Sequence, residues 1–147
     1  MPYRCPQCEA TLGADETCED RFNAGQLQEA ADPAHYAVHH LSVACYMLQH
    51  NRNSRDGWIE LRRLLDRFVA GLSPAAARAR FRRAFDGGNR GYSFTRGPKL
   101  AGVEAIAWTR TVADVRLDSA DHYCADVRAW AEQVVRDSEE LMRTAGV

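Results

Sequence analysis

Three cysteines fall within the first 18 residues: Cys5-Pro6-Gln7-Cys8 and, after nine more residues, Cys18. A CxxC pair brings two thiolates into one tight turn, and a third cysteine nearby supplies most of a tetrahedral soft-ligand shell. This spacing constrains the chain more than any local propensity. Residues 1–17 are expected to form a knuckle-like loop on a zinc ion. A redox CxxC should follow a strand and open a helix, and nothing of that kind precedes this one. Glu9 stands directly after the second cysteine, where the backbone turns and glycine is common. Five cysteines is an odd number, and their spacing points to a metal rather than a disulfide frame. The expected compartment is a reducing cytoplasm.

The next constraint is the segment PAHYAVHHLSVACYMLQH, residues 33–50. Asp32-Pro33 is a strong helix start, an N-cap carboxylate followed by proline at the first helical position. One helix is expected over 33–50. Laid out at 100° per residue, His35, Val43, Tyr46 and His50 fall within about 40° of His39. Ser42 and Gln49 flank this stripe, whereas His40 borders the apolar side. His39 and His50 are about 16 Å apart along such a helix, too far to share one ion. His35 and His39, at i and i+4, are close enough to share one. One member of the doublet, His39 or His40, is expected to complete the cysteine site. His50 is expected at the helix C-terminus, where it favours the dipole.

Other helices can be read from their caps and periods. Residues 18–31 suit a modest helix capped by Thr17, with Phe22 and Leu27 as apolar contacts and Gly25 as a weak point. Ser54 caps a helix with Trp58, Leu61, Leu64, Leu65, Phe68 and Leu72 at helical spacing, stopped by Gly71. Ser73-Pro74 starts another, to about Phe85. Residues 86–102 form a long glycine-rich loop, and 103–116 suit either a short helix or an extended segment. Ser119 caps a last helix to about Arg143, with Tyr123, Val127, Trp130, Val134 and Leu141 as its core stripe. The expected fold is therefore all-α: a compact bundle of about five helices in one domain, 1–147. Its knuckle loop, 1–18, packs on the bundle, 19–147.

Composition narrows the function classes. A net charge of −1 gives no global attraction to nucleic acid or anionic membrane. No apolar run approaches the roughly 20 residues of a membrane span, and MPYRCPQC contains no apolar signal region. Charge is nevertheless uneven. Residues 75–99 carry Arg78, Arg80, Arg82, Arg83, Arg90, Arg96 and Lys99 against Asp86 alone. Arg90, Arg96 and Lys99, in a glycine-rich setting with Tyr92 and Phe94, make a candidate anion site without a P-loop pattern.

CPxC, the HHLxVxxYxLQH segment, WTxTVADV and the closing HxCxxVxxWA together resemble a family of small uncharacterised bacterial proteins, a domain of unknown function. The resemblance rests on Cys5, Cys8, Cys18, His39, His40, Tyr46, Gln49, His50, Trp108, Asp114, His122 and Trp130. Glu9 and Asn51 depart from it, at places where Gly and Pro are common. The resemblance implies that these positions lie together in space, and it implies no activity.

Three readings follow. The first is a zinc-binding helical protein with a closed structural site, Cys5, Cys8, Cys18 and His39 or His40, acting as a binding or regulatory module for a protein or small anionic ligand. The second is a metal-dependent enzyme with an open site in the bundle, where His39 joins His35 or His122 and Tyr46 or Asp114 transfers protons. His50 belongs to that same candidate pocket. No compact HExxH-type signature is present, which ranks this reading second. The third is phosphate or nucleic-acid binding through the Arg/Gly-rich segment.

Overall fold

The computed structural model describes residues 1–76, 79 and 96–146. The chain is mostly helical, with one small two-stranded hairpin, β1 (Tyr3–Arg4) and β2 (Thr11–Leu12). Six α-helices are delimited within the described residues: α1 (Cys18–Ala31), α2 (Pro33–Tyr36), α3 (His39–Gln49), α4 (Arg55–Val69), α5 (Ala120–Asp137) and α6 (Glu139–Thr144). Residues 74–76 and 79 are also helical. No helix among the described residues is long and apolar enough to cross a membrane.

Local signals fix the helix starts. The Thr17 hydroxyl accepts from the Asp20 N–H while the Asp20 carboxylate accepts from the Thr17 N–H, a complete capping box. Asp32 caps Ala34, Ser54 caps Gly57 and Ser119 caps His122, each through its side-chain oxygen. Gly71, with φ +99°, follows α4 in the left-handed conformation that helix ends favour.

Two expected helices are each broken once. The 33–50 segment divides at Ala37–Val38. Val38 is fully buried, and its carbonyl accepts from both Leu41 and Ser42, so it starts a new helix. The break lets α2 pack on α1 and α5 while α3 packs on α4 and α5. One straight helix would hold both segments to a single direction. The last helix breaks at Ser138. There Arg62 from α4 donates to the Ser138 hydroxyl (2.7 Å) and to the Val135 carbonyl (2.9 Å). The Ser138 hydroxyl in turn donates to the Val134 carbonyl one turn back, a contact that bends helices.

The core lies between α3, α4 and α5. Trp58, Leu48, Leu65, Val127, Trp130 and Val134 are all buried, and each large apolar side chain contributes about 1.5–3 kcal/mol by leaving water. Both indoles are also tied: Trp58 donates to the Leu48 carbonyl (3.0 Å) and Trp130 to the Gln49 Oε1 (3.1 Å). Gln49 completes the chain by donating to the Arg110 carbonyl, so the irregular 103–116 stretch is anchored on α3. That stretch contains two 3-10 turns, Val103–Ala105 and Val112–Asp114.

Helix α1 meets α5 closely at Gly25. A Cβ there would lie 3.0 Å from the Tyr123 hydroxyl oxygen, so the residue that weakens the helix locally is what permits the contact. Phe22 packs as expected, stacking on Tyr46 at 4.0 Å, whereas Leu27 is largely exposed. The polar flank of α3 also differs from a solvent-facing stripe. Ser42, Gln49 and His50 are all buried: Ser42 bonds Glu29 of α1, Gln49 the Arg110 carbonyl, and His50 faces the Cys5 and Cys18 sulfurs.

Candidate metal centre

The knuckle loop is a hairpin closed on itself. The Cys5 N–H donates to the Ala10 carbonyl, and the Glu9 N–H donates back to the Cys5 carbonyl. This turn forces Glu9 to φ +64°, the left-handed conformation that glycine adopts freely. Cys5 and Cys8 project from this loop, and Cys18 is the first residue of α1. The fourth donor comes from the far end of α3. His50 is the C-terminal cap residue, immediately before Asn51, whose φ of +49° ends the helix.

One donor atom each from Cys5, Cys8, Cys18 and His50 lies within 4.8 Å of all the others, and all four residues are buried. The His50 Nε2 is 3.2 Å from the Cys18 sulfur and 3.6 Å from the Cys5 sulfur, and the two sulfurs are 3.4 Å apart. The cysteines are free thiols. These four residues could hold a metal ion.

His50 is prepared for that role by its other nitrogen. Nδ1 lies 2.7 Å from the Tyr46 carbonyl, which only accepts, so Nδ1 carries the proton and Nε2 turns its lone pair to the sulfurs. Burial holds the imidazole below its ordinary pKa, which keeps it neutral. The Tyr46 ring packs on it at 4.1 Å, with Phe22 on the opposite side of that ring. Burial pushes the Tyr46 phenol up to about 12.

Burial pushes the Cys8 and Cys18 thiols up. It acts the same way on Cys5, but backbone N–H groups of Cys8 and Gln7 and the Cys18 thiol together outweigh it, so Cys5 lies below its ordinary value. Burial, together with the neighbouring Cys18 and Cys5 sulfurs, pushes the Tyr3 phenol up. The other two cysteines serve the core: Cys45 is fully buried, and Cys124 donates to the Ala34 carbonyl.

The fourth residue of the cluster is therefore His50, where His39 or His40 was expected. His39 and His40 open α3, whereas the cysteines gather at its other end. His39 Nδ1 instead meets the Glu29 carboxylate at 2.7 Å. His40 packs edge-on against Phe68 at 4.5 Å. The sequence places His50 at the helix end and in a candidate pocket, but not with the cysteines. A signal was available: Asn51 tolerates the left-handed turn that lets the preceding residue swing inward.

The other candidate pocket residues each have a partner close by in sequence. His35 Nδ1 pairs with Asp32 and its ring lies 5.2 Å from the Tyr123 ring. His122 pairs with Asp118 on the exposed start of α5. Asp114 caps its own 3-10 turn through the Thr111 N–H. In the candidate anion site, Arg90 lies outside the described residues. Arg96 lies in an open depression with Ser54, Arg55, Asp56 and Pro98, and Lys99 is exposed.

No curated protein and no solved structure matches the chain. A family match does exist, and it runs from the hairpin to the start of α6, taking in all four clustered residues. Over residues 3–139, this chain belongs to the Family of unknown function (DUF5946).

Proposed function

We propose that Cys5, Cys8, Cys18 and His50 bind one zinc ion as a closed structural site, and that the protein is a single-domain binding or regulatory module in a reducing compartment. The observation that carries the reading is the convergence of three buried sulfurs and one neutral imidazole nitrogen within 4.8 Å. Zinc bonds of about 2.3 Å to sulfur and 2.0–2.1 Å to nitrogen give tetrahedral edges of about 3.8 Å and 3.6 Å. The 3.4 Å sulfur pair and the 3.2 and 3.6 Å sulfur–nitrogen pairs lie close to those edges. Four protein ligands leave no position for water or substrate, so such an ion contributes folding energy and no catalysis. It would link the hairpin, the start of α1 and the end of α3.

Elemental analysis of untagged protein tests this. One equivalent of zinc is expected, lost on Cys5→Ser or His50→Ala. Less than half an equivalent in the wild type, or a Cys5→Ser variant with unchanged melting, overturns it. A coordinated water detected by X-ray absorption would favour the open, enzymatic site instead.

A further inference from the structure

Cys18 and Phe22 lie four residues apart on α1, and Tyr46 and His50 lie four residues apart at the end of α3. Residues at that spacing share a helix face. Each helix therefore presents one member of the metal cluster and one aromatic ring a turn away from it. The two faces meet in matched pairs. The His50 Nε2 lies 3.2 Å from the Cys18 sulfur. The Phe22 and Tyr46 rings stack with centroids 4.0 Å apart and planes 10° apart.

Tyr46 also engages His50 twice. Its carbonyl lies 2.7 Å from Nδ1, and its ring packs on the imidazole with centroids 4.1 Å apart and planes 30° apart. Tyr46 is buried, so its ring has little room to yield. The Arg52 guanidinium also lies over this ring, 5.6 Å from its centroid, and pairs with Glu19 at 3.9 Å. That pair is exposed at both ends and contributes little. The Phe22 stack is the contact that ties the ring to α1.

We propose that Phe22 and Tyr46 are positioning residues of the metal centre, and that their stack sets how fast the centre releases its ion. The proposal rests on the zinc reading above. The Tyr46 carbonyl selects the nitrogen that faces the sulfurs, as outer partners of metal-binding histidines do. The Tyr46 ring opposes the rotation that would carry Nε2 away, and Phe22 holds that ring in place. Cys18 and His50 then part only when the aromatic pair one turn away also opens. Both residues act through His50, and neither is a ligand.

The test uses the full chain loaded with zinc, and follows transfer of the ion to a chromogenic chelator at several chelator concentrations to obtain the dissociation rate. Phe22→Leu keeps an apolar side chain but removes the stack, and should raise that rate roughly 3- to 10-fold, the ratio implied by the worth of an aromatic pair. Phe22→Tyr keeps the ring, and the part-exposed position leaves its hydroxyl a path to water, so its rate should stay within about twofold of wild type. Phe68→Leu is the stability control. Phe68 packs on His40 at the opposite end of α3, so this variant should lower Tm and leave the rate within about twofold of wild type. A wild-type rate in Phe22→Leu, a Phe22→Tyr rate equal to that of Phe22→Leu, or an equal rise in Phe68→Leu overturns the proposal while the zinc reading stands. A wild type with less than half an equivalent of zinc overturns both.

Discussion

The two ends of α3 carry histidines anchored through the same nitrogen in different surroundings. His50 and His39 each engage Nδ1 at 2.7 Å. At the C-terminal end the anchor is a backbone carbonyl, the ring is buried and three sulfurs surround it. At the N-terminal end the anchor is a buried carboxylate, and the ring borders a cleft. The contrast teaches that burial and the partner of the second nitrogen, rather than residue type or helix position, decide what an imidazole can do. A neutral ring among thiols makes a closed ligand set. A carboxylate-paired ring at the surface instead satisfies a buried charge.

The largest expected effect separates the two ends by removing the metal. Chelation, or Cys18→Ser, should lower Tm by about 10 °C or more, since structural zinc supplies folding free energy directly. The calorimetric transition with and without chelator measures this. An unchanged Tm would remove the distinction between a metal end and a polar end.

Next comes the other end. Glu29→Ala strands the Tyr123 and Ser42 hydroxyls and His39 in or near the core, and should cost about 3 kcal/mol in urea unfolding. The metal equivalence should stay at its wild-type value. Loss of metal in this variant would show that the two ends are one cooperative unit.

Acid should act on the C-terminal end. The folded-state pKa of His50 is depressed by burial, so the unfolded chain takes up its proton first as pH falls. Stability from the neutral ring is complete above the ordinary imidazole pKa of about 6.5 and is lost progressively below it. Metal binding has the same sign, because the thiolates and imidazole must be unprotonated. Zinc release monitored by a chromogenic chelator from pH 8 to 5 should therefore increase toward acid. A flat profile would break the assignment of His50 to the site.

The smallest effect refines the knuckle itself. Glu9 occupies φ +64°, and its side chain makes an exposed 3.3 Å pair with Arg4. Glu9→Gly should relieve left-handed strain of about 1 kcal/mol, raising Tm by a few degrees without changing metal content. Destabilisation would mean that the surface ion pair outweighs the backbone term.

Much of the fold was legible because its signals are local. Thr17, Asp32, Ser54 and Ser119 each reach a backbone N–H two or three residues ahead, and that distance can be read along the chain. The apolar stripes of α4 and α5 follow the helical period for the same reason. The breaks at Val38 and Ser138 were not legible. One answers to burial against two different neighbours, and the other to an arginine on α4, 76 residues from Ser138. Glu29 escaped notice because a glutamate in a modest helix looks like a solvated one until Tyr123, 94 residues away, is set against it.

The sequence by itself favoured three thiols gathering near the N-terminus, since closing the short loops between Cys5, Cys8 and Cys18 costs little entropy. It also determined that a histidine-bearing helix would follow. Only the tertiary structure decided which histidine meets them. His50 is 45 residues from Cys5 and 32 from Cys18, and its approach depends on the direction in which α3 leaves the break at Val38. That direction is set by packing against α4 and α5, a sum of many weak apolar contacts that no short motif encodes.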